Sequence, residues 1–327
     1  MKLAKKRKDS SASGPQNDGR GSSASGPQND GGGSSASGPQ NDGGSILRPR
    51  LLLTCEHASN AVPESLKKKL NIPASVLKSH RGWDPGTLEL ARAIATTTRT
   101  KIFQPGTMSR LVIDLNRAET NPDVFSKWSR DHLSAPERHK LTVRHRKFRR
   151  AALSAATRML LTPKNHVIHL SIHSFTPVMK GQRRSTDIGI LFDPKRPAEK
   201  KFANQLIRIL KAAATKEKIA GIRIDANKPY LGTADGHTTE LRCKLSATRY
   251  SGIEIEVNQK FVRTTGIARW PVILRVISMA VAELLDPNRL EHLGGTIKKP
   301  VKTAHRTRHV GGRIARSVSG RSSKGRR

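Results

Sequence analysis

The chain has 327 residues, of which 61 are Lys or Arg and 25 are Asp or Glu, so its formal net charge is +36. Its apolar runs are far shorter than the ~20 residues that span a bilayer, and its basic N-terminus is not followed by the apolar stretch of a signal peptide. We therefore expect no membrane association. The two cysteines are too few for a disulfide framework and indicate a reducing cytoplasm.

Residues 1–45 form the first predicted region. The segment SSASGPQND starts at Ser10 and is repeated from Ser22 and from Ser34, with glycine-rich spacers between the copies. A repeat of Gly, Ser, Pro and Asn offers no apolar face that could be buried. We predict a disordered, flexible linker over this region.

Residues 46–292 show alternating strand and helix patterns. Short apolar runs typical of strands occur at Arg50–Cys55, Leu111–Leu115, Val167–Ile172, Ile188–Phe192 and Ile253–Val257. Helical spacing occurs at Pro85–Thr97, Ala135–Leu161, Pro197–Ala214 and Ala268–Leu285. The second helix should begin after Ser134, with Glu137 completing a capping box. The pattern predicts a single α/β domain with a mixed, mostly parallel sheet flanked by helices, whose ligands bind beyond the carboxyl ends of the strands.

Residues 293–327 form a basic tail. The last 31 residues of the chain hold 11 Lys or Arg and no acidic residue. We predict a disordered tail that is either simply solvated or binds nucleic acid or another polyanion without sequence specificity. The domain is also strongly basic, which is compatible with an anionic substrate.

Two histidines lie at the ends of predicted core strands. His57 follows the run Leu51–Leu53, and His173 follows the run Val167–Ile172. A lone histidine in this position is commonly structural, but two such histidines favour a shared site. A catalytic zinc ion takes three His, Asp or Glu ligands, and Asp84 in the segment HRGWDPG is the first choice for the third. The alternative for Asp84 is an N-cap of the helix that starts at Pro85.

Glu254 and Glu256 lie two residues apart in the segment EIEVNQ, so both point to the same face of a strand. One interpretation is a solvated face of the sheet, because unpaired buried carboxylates are costly. The other is the floor of a pocket, where a buried glutamate beside a metal ion could act as a general base and then as a proton donor.

The segment SRLVIDLNR supplies groups that could bind an anion. Arg110 and Arg117 bracket the predicted strand Leu111–Leu115, and Asn116 directly precedes Arg117. A guanidinium binds a carboxylate through two parallel hydrogen bonds, and an asparagine can add a third. We expect Asn116 and Arg117 to bind the carboxylate of an acidic substrate.

Six segments together resemble the N-formylglutamate amidohydrolase family. In chain order they are CEHASNAVP, HRGWDPGTLELA, SRLVIDLNR, IHSFTPVMKG, KPYLGTADGHT and GIEIEVNQ. The resemblance covers residues 48–285 and neither tail. It implies a zinc-dependent hydrolase that cleaves the amide bond of a small N-acyl amino acid, nominally N-formyl-L-glutamate, on a fold similar to that of the zinc carboxypeptidases.

The wider resemblance to zinc carboxypeptidases also implies roles for single residues. His57 and His173 match the two zinc-binding histidines, and Glu256 resembles the general-base glutamate. The pair Asn116–Arg117 matches the carboxylate-binding pair. The carboxypeptidases have a glutamate three residues after the first histidine, where this chain has Asn60. The third ligand must therefore come from elsewhere, with Asp84 as the first choice and Glu56 as the reserve.

The expected reaction is metal-assisted amide hydrolysis. Glu256, or otherwise Glu254, serves as the base, and Arg110 stabilises the developing oxyanion. Further candidates for substrate binding are Ser174, next to His173, and Tyr230 and His237 on a loop expected to cover the pocket. Two alternatives are a polyanion-binding protein on an inactive hydrolase fold and a cell-wall peptide amidase. The sequence does not indicate an oligomeric state.

Overall fold

The computed structural model describes residues 48–263 and 267–286, so the predicted linker 1–45 and the predicted tail 293–327 lie outside the described residues. The strands are β1 Arg48–Cys55, β2 Phe103–Pro105, β3 Asn165–Phe175, β4 Val178–Met179, β5 Gln182–Arg183, β6 Ile188–Leu191, β7 Ile224–Ala226 and β8 Tyr250–Asn258. The α-helices are α1 Glu64–Leu70, α2 Ala74–Leu77, α3 Thr87–Thr98, α4 Lys127–His132, α5 Ala135–Leu160, α6 Pro197–Lys216, α7 His237–Lys244, α8 Lys260–Arg263 and α9 Trp270–Leu285, the last preceded by a 3-10 turn at Ile267–Arg269.

A six-stranded sheet with the order β2-β1-β3-β8-β6-β7 forms the centre of the domain. Neighbouring strands are parallel except for β6, which runs antiparallel to β8. A separate antiparallel pair joins β4 and β5. This mixed, mostly parallel sheet with flanking helices confirms the predicted fold class.

Strand alternation divides the core between the two faces of the sheet. Leu51 and Leu53 of β1 pack in one cluster with residues of α3, α6 and α9, whereas Leu52 packs on the other face with residues of α5 and α7. In β3 the side chains of Ile168, Leu170 and Ile172 join the first cluster. The residues between them therefore point toward the face covered by α5 and α7.

The four long helical patterns are confirmed as α3, α5, α6 and α9. At the start of α5, Glu137 accepts a hydrogen bond from the backbone N–H of Ser134, as the capping box requires. Across the described ranges, no helix combines the length and apolarity needed to cross a bilayer.

The predicted strand Leu111–Leu115 is wrong, because this segment is a loop. The side chains of Val112, Ile113 and Leu115 do not enter the sheet but pack in a separate cluster with residues of α1 and α5. Hydroxyl groups of α4 and its N-cap bond to two of its carbonyl groups, since Ser126 and Ser129 both donate to Leu111 O and Ser129 also donates to Val112 O. This apolar run is therefore buried as a loop and does not pair with any strand of the sheet.

Candidate active site

The carboxyl ends of β1, β3 and β8 meet at one edge of the sheet because these three neighbours are parallel. His57 lies two residues after β1, and His173 lies near the end of β3. Glu256 of β8 is directly paired with His173 in the register of the sheet. The topology therefore gathers residues from distant parts of the chain at the position where α/β sheets bind ligands.

The structure brings His57, Asp84 and His173 together. The Nδ1 atoms of the two histidines lie 3.2 Å and 3.0 Å from the same carboxylate oxygen, Asp84 Oδ2. The candidate ligand atoms of the three residues all lie within 4.8 Å of one another, and the three side chains are buried. Asp84 is not an N-cap, because α3 begins at Thr87 after Gly86.

The other ring nitrogen of His57, Nε2, is hydrogen-bonded to a second carboxylate. His57 Nε2 lies 2.6 Å from Asp114 Oδ1. Arg110 donates to Asp114 Oδ2 through Nη2 at 2.9 Å and through Nε at 3.2 Å, and its Nη1 reaches Asp84 Oδ1 at 3.5 Å. A carboxylate behind a metal-binding histidine fixes the orientation of the ring and raises its basicity. Asp114 occupies that position.

The other ring nitrogen of His173, Nε2, also lies next to polar groups that can fix its orientation. His173 Nε2 lies 2.9 Å from Ser171 Oγ and 3.4 Å from Glu56 Oε2. Ser171 donates its hydroxyl proton to Glu56 Oε2 at 2.6 Å, and His237 Nδ1 lies 2.7 Å from Glu56 Oε1. Glu56, the reserve ligand of the sequence analysis, therefore lies behind His173 rather than beside Asp84.

The charges of the site are compatible with a bound cation. Burial opposes ionisation, but Arg110 and His57 hold the pKa of Asp114 well below its usual range, and His57 and His173 likewise lower the pKa of Asp84. Burial also opposes protonation of His173, yet Asp84 raises its pKa well above its usual value. The neighbouring carboxylates favour protonated histidines, and a divalent cation bound at the same place would supply the positive charge instead of these protons. Two imidazoles and a carboxylate are also a donor set that fits zinc.

A second group of candidate ligands consists of Glu56, His169 and His237. In this group His169 Nδ1 lies 2.7 Å from Tyr250 Oη, and Nε2 lies 2.8 Å from Thr54 Oγ1, so both ring nitrogens are already hydrogen-bonded. Burial lowers the pKa of His169 to about 3, so the ring is neutral. We interpret Glu56, His169 and His237 as a buried hydrogen-bonded group that supports the first site, and not as a second metal site.

Replacing Glu56 by Gln tests its place behind the candidate metal site. The amide keeps the size of the side chain but removes the carboxylate that faces Ser171 and His237. We expect zinc affinity, measured by competition with a chelator, to fall about 10- to 100-fold, as for other residues that support a ligand from behind. A loss as large as that caused by changing Asp84 would instead make Glu56 a direct ligand.

Glu254 and Glu256 line the cavity beside the two histidines, and both side chains are buried. The interpretation as a solvated sheet face is therefore wrong. Glu254 Oε1 accepts a hydrogen bond of 2.7 Å from Thr238 Oγ1. Glu256 Oε2 has no hydrogen-bond partner among the described residues, and burial raises the pKa of this carboxyl to about 8. Glu256 can therefore both take up and release a proton near neutral pH.

The raised pKa of Glu256 predicts a pH-dependent stability. Between its ordinary value of 4.5 and about 8, the carboxyl stays protonated in the folded chain but ionises on unfolding. The unfolded state thus binds fewer protons, and stability falls as pH rises through this window. In chelator-treated protein, we expect Glu256→Gln to be more stable than the wild type at pH 8 by ~2–4 kcal/mol, with little difference near pH 5. Urea unfolding at both pH values measures this, and equal differences at pH 5 and 8 would contradict it.

A cavity of about 560 Å³ opens over these residues. Its lining includes the predicted site residues His57, Asp84, Arg110, Asn116, Arg117, His173, Ser174, Tyr230, Glu254 and Glu256. Asn116 Oδ1 accepts a hydrogen bond from the backbone N–H of His237 at 2.8 Å, which leaves the NH₂ group of Asn116 as a donor for a ligand. The Arg117 guanidinium makes no hydrogen bond or ion pair within the described part of the chain. Both residues can therefore bind an anion.

Two placements differ from the sequence analysis. His237 is not on a loop over the pocket but is the first residue of α7, with a fully buried side chain. The sequence does not single out Asp114, because this residue lies inside the apolar run that predicts a strand. The signal that could have found it is a lone acid in such a run, two residues before the pair Asn116–Arg117.

The fold and the site define an α/β protein in which two histidines and an aspartate converge beside a buried glutamate. The family model for N-formylglutamate amidohydrolase matches residues 49–263. The chain belongs to the N-formylglutamate amidohydrolase family, so it is an amidohydrolase of the N-acyl amino acid type.

Solved structures are similar over most of the domain. A gene product of Agrobacterium tumefaciens, Atu2144, shares 27% identity with a TM-score of 0.54, covering 72% of this chain and 91% of that one. An N-formylglutamate amidohydrolase from Ralstonia eutropha JMP134 shares 16% identity with a TM-score of 0.48, covering 75% and 96%. Murine aminoacylase 3 shares 15% identity with a TM-score of 0.32, covering 76% and 66%. No curated protein matches the chain significantly.

Proposed function

We propose that this protein is a zinc-dependent hydrolase that cleaves the amide bond of N-acyl amino acids such as N-formyl-L-glutamate. The observation that carries the proposal is the convergence of His57, Asp84 and His173 within 4.8 Å, beside the buried carboxyl of Glu256. Family membership supports the amide chemistry, and the donor set supports the metal.

His57 and His173 would hold the metal through their Nδ1 atoms, and Asp84 would hold it through its carboxylate. A divalent cation, when bound, supplies Lewis acidity that polarises a carbonyl group and lowers the pKa of water. The carboxylates behind the two rings fix their orientation before any ligand binds.

The residues around this site can perform the remaining steps. Glu256 in its ionised form removes a proton from the attacking water and passes it to the leaving nitrogen, which completes the hydrolysis. Arg110 lines the cavity, and its guanidinium has N–H groups beyond those bonded to the two aspartates, so one can donate to the developing oxyanion. Asn116 and Arg117 bind the carboxylate of the amino-acid part.

The test combines metal content and hydrolysis with the full chain. The wild type should bind one zinc ion per chain and release free amino acid from N-formyl-L-glutamate or another N-acyl amino acid. His173→Ala should lose both properties. His139→Ala, which removes an exposed histidine of α5 that does not line the cavity, should keep both. Failure of zinc-loaded wild type to hydrolyse any N-acyl amino acid would overturn the proposal.

Two alternatives stay as predictions. Binding of nucleic acid or another polyanion concerns the tail 293–327, which lies outside the described residues. Zinc-independent DNA binding by the full chain, without amide hydrolysis, would favour that function. A cell-wall peptide amidase shares the chemistry of the site, and hydrolysis of an N-acyl peptide in preference to an N-acyl amino acid would favour it.

A further inference from the structure

One side of the cavity lining is an apolar wall that the proposed chemistry does not use. The apolar wall consists of Phe175, Met179, Leu191, Tyr230 and Leu231. Phe175 and Leu191 are buried where β3 and β6 end, whereas the other three are exposed at the cavity. These side chains come from three separate segments, so the wall is a product of the fold rather than of one apolar run.

The exposure of this wall is unusual within the molecule. Among the described residues, seven large hydrophobic side chains are exposed, and four of them belong to two segments at this cavity, namely Val178 with Met179 and Tyr230 with Leu231. Scattered exposed apolar residues are normal, but a group of them at a concave site indicates a surface that binds a ligand.

Arg184 holds the wall in place. Its guanidinium lies 5.0 Å from the ring centroid of Tyr230 and 5.6 Å from that of Phe175. Nη1 of Arg184 donates to Tyr230 Oη at 2.9 Å, and Nη2 donates to Met179 Sδ. One cation thus connects Met179 of β4 to the loop that carries Tyr230.

The loop with Tyr230 and Leu231 is also fixed by its backbone. Asn227 Oδ1 accepts hydrogen bonds from the N–H groups of Phe192 at 3.0 Å and of Gly232 at 3.1 Å. A Cβ at Gly232 would lie 2.1 Å from Phe192 N, so the close contact with the end of β6 requires glycine. The wall is therefore preformed, which lowers the cost of binding.

We infer that the substrate carries an apolar group of several carbons that packs on the apolar wall while its carboxylate binds to Asn116 and Arg117. The inference rests on the proposed amide hydrolysis. A second carboxylate placed against Phe175, Leu191 and Leu231 would lose its hydration, because these three side chains offer no donor. The two polar groups beside them, Tyr230 Oη and the Arg184 guanidinium, are already bonded to each other. The cavity thus favours an N-acyl amino acid that places an apolar group, rather than a second carboxylate, against this wall.

The apolar group has two chemical sources, namely the side chain of the amino acid and the acyl group. Both present the same hydrocarbon to the wall. The experiment therefore uses N-formyl-L-leucine and N-formyl-L-phenylalanine for the first source, and N-octanoyl-L-glutamate for the second. N-formyl-L-glutamate is the reference substrate.

We expect kcat/KM of the zinc-loaded full chain for at least one apolar substrate to exceed that for N-formyl-L-glutamate by about tenfold or more. The substrate that shows this preference identifies the source of the apolar group. Equal or higher kcat/KM for N-formyl-L-glutamate would overturn this inference but would support the proposed function. No hydrolysis of any of the four would overturn the proposed function itself.

Two matched substitutions of exposed leucines test whether the preference for apolar substrates arises at the apolar wall. Leu231 lines the cavity and is 65% exposed, whereas Leu161, at the end of α5, is 77% exposed and does not line the cavity. Leu231→Ser should reduce the preference for the apolar substrate about fivefold. Leu161→Ser should leave the preference and the activity unchanged. An unchanged preference in Leu231→Ser would contradict the assignment of the wall as the apolar subsite.

Discussion

Asp84→Asn should reduce zinc affinity by more than ~100-fold, beyond the range expected for residues that support a ligand from behind. Asp84 is the group on which the Nδ1 atoms of His57 and His173 converge, at 3.2 Å and 3.0 Å. An amide in its place can still accept a hydrogen bond, but it lacks the negative charge that a divalent cation requires. Competition with a chelator of known affinity measures the change in the full chain.

The matched control is Asp235→Asn. Asp235 lines the same cavity, where its carboxylate accepts hydrogen bonds from the Ala118 N–H and from Asn121 Nδ2. It is absent from the group formed by His57, Asp84 and His173, so zinc affinity should stay within about threefold of the wild type. Similar losses in both variants would mean that overall cavity charge, and not a defined site, governs binding.

The second large effect concerns the proton transfer. Glu256→Gln should lower kcat for amide hydrolysis by about 10²–10⁴-fold, with zinc affinity and KM changed far less. Glu256 lies beside His173 in the register of β3 and β8, and its Oε2 has no hydrogen-bond partner in the described ranges. Glutamine has the same shape but cannot take up a proton. Steady-state kinetics on the zinc-loaded variant separates kcat from KM.

Glu254→Gln is the comparison that distinguishes the two glutamates. Glu254 already accepts a hydrogen bond from Thr238, so its carboxylate is tied to α7. Its replacement should lower kcat by roughly tenfold or less. A larger loss in Glu254→Gln than in Glu256→Gln would reverse the assignment of the base.

The sequence identified the fold class, because the apolar runs of the core strands β1, β3 and β8 are distinct from the helical spacing around them. It also predicted that His57, Asp84 and His173 lie together, since polar residues at the ends of parallel strands gather at one edge of the sheet. The loop from Leu111 to Leu115 was misjudged for a physical reason. An apolar run indicates only that its side chains are buried, and here Val112, Ile113 and Leu115 are buried in a cluster away from the sheet.

The groups behind the candidate metal site were harder to predict. His169, Ser171 and His173 alternate along β3 and so share one face, a pattern visible in the segment HLSIH. The pairing of Ser171 with Glu56, and of Glu56 with His237, spans 115 and 181 positions of the chain. Such contacts depend on the packing of α7 against the sheet, which short-range sequence patterns do not encode. The same holds for the apolar wall, whose members come from separate segments.

Zinc bound as proposed by His57, Asp84 and His173 would also couple the supply of the ion to the lifetime of the protein. Asp84 and His173 are 89 positions apart, so the unfolded chain cannot present them together. An ion that binds only the folded chain adds about 4 kcal/mol to the free energy of unfolding when its concentration is 1,000 times the dissociation constant. If the proposed site is correct, removal of the ion would therefore increase the fraction of unfolded, protease-sensitive chain as well as abolish hydrolysis.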